Sequence, residues 1–390
     1  MAEDILPEPP NELKRHSKGL EERIRAIIRE RGPIPFSQYM EMALYEPGLG
    51  YYSAGLHKLG AHGDFTTSPE LGDLFAGCLA QQCAETGAEL GEYEILEVGA
   101  GTGRLAAGLL ASIDRERAPI RYRILERSAD LRAVQRNTIA DLAPGWKDRV
   151  EWLDGPPERD WQGLLIANEV IDALAVERFE IRGETVLQLC VVDEEEGFAW
   201  ETRPAPTPLL SAVKRLETAR QRPFEDGYRS EIHLQLAPWL SAVTVRMRRG
   251  LSLFIDYGYP AREYYLPERR DGTLMCHYRH RAHDDPFFWP GLQDITAWVD
   301  FTALAEAADA CGLEVEGSTT QAMFLAGCGL DRVMQDQVAR ADDGGLALGA
   351  EARQLVLPGM MGERFQVMGL GRGLEEEPAG FSLLDLRYRL

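Results

Sequence analysis

The stretch Tyr93–Gly103, YEILEVGAGTG, constrains this chain more than any other. Its first half, Tyr93–Val98, is an apolar run running into glycines, the pattern of a parallel strand covered on both faces. Its second half places glycines at 99, 101 and 103, ahead of a helix from about Arg104. Without Cβ atoms, Gly99, Gly101 and Gly103 let the backbone turn sharply and let a ligand lie directly on it. Ala100 sits inside that turn. Glu97 stands at the strand's end, where ligands collect in open α/β sheets.

The spacing is G-x-G-x-G, not the G-x-G-x-x-G of dinucleotide binders. E-x-G-x-G-x-G after a first strand resembles the nucleotide loop of class I S-adenosylmethionine methyltransferases. That ligand carries no pyrophosphate. It needs a flat glycine floor for its methionine part and a carboxylate for its ribose. The next strand, Arg121–Leu125, is followed by Glu126, at about the 20-residue spacing of ribose readers. A generic strand–glycine–helix turn would account for the loop alone but not for Glu126.

The length of 390 residues suits one large α/β domain with additions, or two domains. A net charge of −21 argues against nucleic acid and anionic membrane as main partners. The six cysteines form no C-x-x-C pair, which predicts a reducing compartment. The acidic, proline-rich start, MAEDILPEPPNE, has neither an apolar signal core nor the arginine-rich character of a transit peptide, so a cytoplasmic location is expected. No run approaches a membrane span.

Residues 1–12 read as disordered. Leu13–Arg31 predicts an amphipathic helix with Leu20, Ile24, Ile27 and Ile28 on one face. Phe36–Leu44 reads as a second helix, Tyr45–Ser53 as an aromatic loop, and Pro69–Thr86 as a helix capped by Ser68. Residues 13–90 thus form a helical region expected over the cofactor, with a methyltransferase domain over 91–390. Within that domain, strands are expected at Val150–Leu153, Leu164–Ala167, Leu251–Ile255, Leu313–Glu316 and Phe365–Leu370. Helices are expected at Asp130–Leu142, Phe301–Cys311 and Gln321–Asp336. The pattern alternates over 175–203, which predicts an inserted antiparallel segment within about 175–228. Two helices should come after it, the longer over Ser230–Arg249, with Glu231 in its first turn. A long polar and aromatic loop covers about 257–297; such loops are usually functional or disordered. The fold class is therefore α/β, a doubly wound sheet with a helical N-terminal region and a β insertion.

Asn168-Glu169 closes the fourth strand, where acceptor-handling groups belong. A carboxylate there can hold a guanidinium through paired hydrogen bonds. The structural alternative is a helix start favoured by Glu169 and Asp172. Asp256 ends the fifth strand and either orients the acceptor or caps a turn. His277, His280 and His283 are three apart, but no helical pattern or cysteine supports a metal site; contact with the acceptor is preferred over metal binding, and a plain structural role is the remaining alternative. Tyr51, Tyr52, Asp64, Thr66 and Thr67 form a polar and aromatic cluster able to hydrogen-bond a carboxylate or amine, although ordinary loop capping accounts for these residues slightly better.

Taken together, SQYMEMALYEPGLGYYS, GDFTTSPELGDLFA, EILEVGAGTGRLA, ILERSADLRAVQ, ANEVIDALAVERF, LFIDYGYP and HRAHDDPFFWPGLQDITAWVDFTAL resemble the MidA family, which includes the mitochondrial complex I assembly arginine methyltransferase. The resemblance spans about 36–330. It implies a class I fold and S-adenosylmethionine as methyl donor. It also implies Gly99, Gly101 and Gly103 on the methionine part and Glu126 on the ribose, with Thr66, Thr67, Asn168 and Glu169 lining the rest. Family members are associated with symmetric dimethylation of a protein arginine. His280, His283, Asp294 and Thr296 fall on the family's pattern as architectural or substrate-facing residues. The expectation is a protein arginine methyltransferase with Glu169 and Asp256 as catalytic carboxylates and Tyr51, Tyr52, Asp172, His280 and His283 toward the substrate. A small-molecule methyltransferase and a cofactor-binding assembly factor without turnover are the alternatives.

Overall fold

The computed structural model describes residues 6–54, 67–113, 118–339 and 345–390. The chain divides into two compact units. The first comprises Met1–Phe65, Asp172–Leu236 and Ala261–Trp298; the second comprises Thr66–Ile171, Ala237–Pro260 and Val299–Leu390. This grouping cuts across the expected 13–90 region, whose first part belongs with the antiparallel strands and whose last helix belongs with the parallel sheet. Asp64 and Thr66 lie outside the described residues.

The second unit is built on an eight-stranded sheet. Its seven main strands run in the spatial order Glu314–Thr320, Phe365–Arg372, Met247–Tyr259, Trp161–Asn168, Glu94–Val98, Arg121–Leu125 and Val150–Leu153. Phe365–Arg372 is antiparallel to both of its neighbours; the main strands from Met247–Tyr259 to Val150–Leu153 are parallel. Continuous apolar runs explain the central strands: Ile95, Leu164, Leu165, Ile166, Leu251, Leu253, Phe254 and Ile255 are all fully buried. Chain order reverses about Glu94–Val98, so the carboxyl ends of this strand and of Trp161–Asn168 flank a topological switch point, where ligands bind in such sheets.

The helix expected over Pro69–Thr86 is two, Ser68–Leu71 and Leu74–Leu90. The break has a steric and a polar cause. A Cβ on Gly72 would lie 2.0 Å from a carboxylate oxygen of Glu351. The other Glu351 oxygen accepts the Leu74 N–H at 2.7 Å. A carboxylate from a distant helix thereby caps the longer one. Ser68 is not that cap; its hydroxyl donates to Gln321 Oε1 at 3.1 Å. The expected Gln321–Asp336 helix is also two, Gln321–Gly327 and Leu330–Val338, separated at Gly329, whose φ is +77°.

In the first unit the opening helix spans Asn11–Arg31, two residues more than expected. A five-stranded antiparallel sheet is formed by Ile34–Pro35, Glu177–Arg182, Thr185–Glu194, Gly197–Pro204 and Arg229–Ile232. The last strand corrects the expected Ser230–Arg249 helix, which is confined to Leu236–Thr244. Side-chain pairing overrides helical propensity here. Arg178 and Glu231 stand opposite one another in the ladder, and Arg178 Nε donates to buried Glu231 Oε1 at 2.9 Å. The Thr273 N–H donates to the other oxygen at 2.7 Å. Glu231 is thus a buried ion-pair partner rather than a first-turn helix residue. The 257–297 stretch is not wholly irregular: Met275–Tyr278, Arg281–His283 and Asp294–Thr296 form a small sheet.

Candidate active site

The glycine turn is left-handed at all three alternate positions, with φ of +67° at Gly99, +52° at Gly101 and +82° at Gly103. Only glycine adopts a succession of such angles without strain. The turn is fastened by Gly99 N–H to Leu125 O at 3.1 Å and Gly103 N–H to Ala100 O at 2.7 Å. Gly103 packs inward, where a Cβ would lie 3.0 Å from Gln135 Cα. The Ala100 side chain is buried, Gly99 is exposed and Gly101 is half-buried. The result is an accessible backbone floor at the switch point. Thr67 precedes the Ser68–Leu71 helix and is half-buried; Glu70 of that helix accepts a hydrogen bond from the Thr102 hydroxyl of the glycine turn.

Glu97 points into a buried environment. Its Oε2 accepts the Tyr122 hydroxyl at 2.7 Å. Burial raises its carboxyl to about 7, opposed by the Tyr122 hydrogen bond and reinforced by the negative charge of Glu126. A folded value above the unfolded one means that the native state holds the proton more tightly. Stability free of this penalty is present at acid pH and is lost as pH rises from the usual 4.5 through about 7. Glu97→Gln should therefore flatten the decline in chemical-denaturation stability between about pH 5 and 8. An unaltered pH profile in the variant would assign the decline to other groups.

Glu126 sits beside the loop, held from three directions. Its Oε1 accepts the Ser128 N–H at 2.8 Å, and its Oε2 accepts Gln135 Nε2 at 3.2 Å. The same Gln135 nitrogen donates to Gly101 O at 3.0 Å, so one amide ties the carboxylate to the glycine turn. The Trp152 indole N–H donates to Gln135 Oε1 at 2.9 Å, which fixes the amide's orientation. Arg132 Nε donates to the Glu126 carbonyl at 2.7 Å, and Nη1 to Asp154 at 2.7 Å. Burial raises the Glu126 carboxyl, while hydrogen bonds from Ser128 and Gln135 pull it back. Sequence reasoning missed Gln135, Arg132 and Trp152. The available signal was the three-residue spacing of Arg132 and Gln135 on the Ala129–Leu142 helix, which presents both to one side.

At the end of Trp161–Asn168, the chain enters a turn rather than the helix considered from sequence. Glu169 is left-handed there, with φ of +53°. For a non-glycine residue this conformation is strained and persists only where the surroundings impose it. Asn168 Nδ2 donates to Glu169 Oε1 at 3.1 Å, and the Glu169 N–H donates to Ile255 O at 2.8 Å. The next residue, Val170, lies against the glycine turn, for a Cβ on Gly99 would be 3.1 Å from Val170 Cγ2. The Asp256 carboxylate is 1% exposed. It accepts the Tyr257 N–H at 2.9 Å and the Ile171 N–H at 3.0 Å. The glycine turn, Glu97, Glu126, Asn168, Glu169 and Asp256 therefore belong to one unit and gather at one end of one sheet.

Tyr51, Tyr52, Asp172, His280 and His283 belong to the other unit. Tyr51 is buried, and the Tyr52 hydroxyl donates to Asp294 at 3.0 Å. The Asp172 carbonyl accepts the Ala297 N–H at 2.9 Å. His280 is exposed at a hairpin tip, with φ of +62°. His283 is half-buried, and its Nδ1 accepts the Asp285 N–H at 3.3 Å. Burial lowers its pKa, offset by Asp285 and Asp284. Among the described residues no group of three or more histidine, cysteine, aspartate or glutamate side chains is arranged to hold a metal ion.

This sheet order, with a glycine turn after its central strand, defines a class I methyltransferase. A family profile described as "Putative S-adenosyl-L-methionine-dependent methyltransferase" matches residues 78–319, and the chain belongs to that family. A Burkholderia thailandensis protein described as a "likely methyl transferase" and bound to S-adenosyl-homocysteine superposes with a TM-score of 0.91 at 38% identity, covering 99% of this chain and 100% of that one. The Danio rerio "Protein arginine methyltransferase NDUFAF7, mitochondrial" is 27% identical, covering 95% of this chain and 94% of that protein. Its Drosophila melanogaster homologue is 25% identical over 94% and 88% respectively. The chain is an S-adenosylmethionine-dependent methyltransferase.

Proposed function

We propose that the enzyme methylates the guanidinium of a protein arginine, with symmetric dimethylarginine as the final product. The observation that carries this reading is the carboxylate of Glu169, held in a strained turn beside the glycine loop at the sheet's carboxyl end. The names of the relatives support it, since several are protein arginine methyltransferases. A reducing compartment such as the cytoplasm is proposed as its location, in keeping with the free state of all six cysteines.

The residues fit the donor. The accessible backbone over Gly99–Gly103 suits its methionine part, the anchored Glu126 carboxylate suits a ribose diol, and Thr67 is proposed to line the rest of the site. The sulfonium of the bound donor supplies an electrophilic methyl. Glu169 aligns the planar guanidinium in line with that methyl and offsets its charge. One nitrogen–carbon bond forms, the carbon–sulfur bond breaks with its electron pair kept by sulfur, and the proton displaced from the nitrogen passes to solvent, giving methylarginine and S-adenosylhomocysteine. Tyr52, His280 and His283 remain proposed contacts of the acceptor chain, while Tyr51 and Asp172 are buried.

Glu126→Ala should weaken S-adenosylhomocysteine binding by about 1.5–3 kcal/mol, the range for charged hydrogen bonds. Isothermal titration reads this as roughly tenfold or more in dissociation constant. An unchanged constant would move the ribose contact elsewhere. The acceptor class is tested by proteome-wide mass spectrometry of the source cells with and without this protein. Loss of dimethylarginine at a defined protein site is expected; an unchanged set of methylarginine sites would refute the arginine reading.

A further inference from the structure

We propose that Asp256 is a positioning residue whose carboxylate locks the Asn168–Ile171 turn and so aims the Glu169 carboxylate at the acceptor. The inference rests on the acceptor-facing reading of Glu169. It departs from the direct catalytic role that the sequence suggested for Asp256.

The geometry gives each residue of the turn its own restraint. The Glu169 N–H is bound to Ile255 O at 2.8 Å. The Val170 side chain lies against Gly99 of the glycine turn. The Ile171 N–H is bound to Asp256 Oδ2 at 3.0 Å. The other Asp256 oxygen takes the Tyr257 N–H of its own strand at 2.9 Å, so the carboxylate ties the turn after Trp161–Asn168 to the adjacent Met247–Tyr259 strand. At 1% exposure it is withdrawn from solvent. Ile171 is equally buried, at 1%, so its N–H cannot exchange Asp256 for bulk water. The left-handed angle at Glu169 is unfavourable for glutamate, and the bonds on either side of it hold the residue there. Val170 extends the same restraint to the cofactor side. The turn's position is thereby coupled to the loop beneath the donor, without Asp256 touching donor or acceptor.

Asp256→Asn keeps the shape but leaves one acceptor oxygen for two N–H donors. The full-length variant is compared with wild type in three measurements. Titration with S-adenosylhomocysteine should give a dissociation constant within about threefold of wild type. Hydrogen exchange of the Ile171 amide should accelerate at least about tenfold, as for a locally released bond. Methyl transfer from tritiated S-adenosylmethionine into extract of source cells lacking the protein should fall at least about tenfold, since misplacement by about 1 Å can cost about a hundredfold. Unchanged exchange at Ile171 would overturn the proposal. So would transfer that falls only in proportion to the fraction of protein able to bind S-adenosylhomocysteine, the pattern of a merely structural residue. If the asparagine variant does not fold, Asp256→Glu keeps both oxygens, displaces them by one methylene and carries the same three readings. Full transfer by Glu169→Gln would instead reject the role of Glu169, a result distinct from any obtained at Asp256.

Discussion

Glu169→Gln is expected to reduce single-turnover methyl transfer at least about a hundredfold, the scale of losing one well-placed electrostatic group. Affinity for S-adenosylhomocysteine should stay near that of wild type. The reason lies in the proposed acceptor, an arginine side chain. A guanidinium has a pKa above about 12 and so arrives charged. A carboxylate in hydrogen-bond reach aligns the planar group and favours it as charge shifts at the attacking nitrogen. Glutamine preserves size and hydrogen bonding but not charge. The left-handed backbone at Glu169 supplies a second, independent variant. Glycine is unstrained at such an angle, so Glu169→Gly should melt no lower than wild type through backbone effects while losing transfer as severely. A residue whose work was only to shape the turn would give the reverse, with near-normal transfer in the glycine variant. Melting temperature, cofactor affinity and transfer measured on one preparation separate the two.

Gly101→Val is expected to abolish detectable binding of S-adenosylmethionine while leaving a folded protein. The φ of +52° at Gly101 is an outlier conformation for a β-branched residue, costing about 1–3 kcal/mol of local strain. The valine side chain would also stand where the ligand must lie on backbone. The sheet should survive, because its core packing is formed by residues such as Ile95, Leu164 and Leu253 rather than by the turn. Circular dichroism should report a folded chain with a reduced melting temperature, and isothermal titration should report no heat of binding. Equal binding by variant and wild type would remove the loop from the cofactor site.

The central sheet was readable because its strands carry strong local signals. Glu94–Val98 and Arg121–Leu125 combine charged residues with apolar or aromatic ones and are closed by turn residues, and the glycine spacing identifies the nucleotide loop at the end of the first. Gly329, with its left-handed backbone, split one expected helix locally, but two other failures share a physical form: a long-range contact overrode a local pattern. Ser230–Arg249 looked helical until Glu231 found Arg178 across an antiparallel ladder. Ser68 looked like a cap, but Glu351, 277 residues from Leu74, supplies the carboxylate that starts the longer helix. The same holds at the site. Glu126 is visible from spacing, but Gln135 and Trp152, which orient it, are visible only once their helix and strand are side by side. Asp256 was legible as a polar strand end; that its oxygens face two backbone N–H groups was not.

In the proposed reaction the methyl goes to an arginine nitrogen with Glu169 beside it. The most direct measurement is amino-acid analysis of the labelled product. Tritiated S-adenosylmethionine is incubated with the enzyme and extract of source cells lacking it, and the protein fraction is hydrolysed and chromatographed. Label is expected to co-elute with symmetric dimethylarginine in the wild-type reaction, with close to none for Glu169→Gln. Label in the small-molecule fraction, or on an amino acid other than arginine, would contradict it.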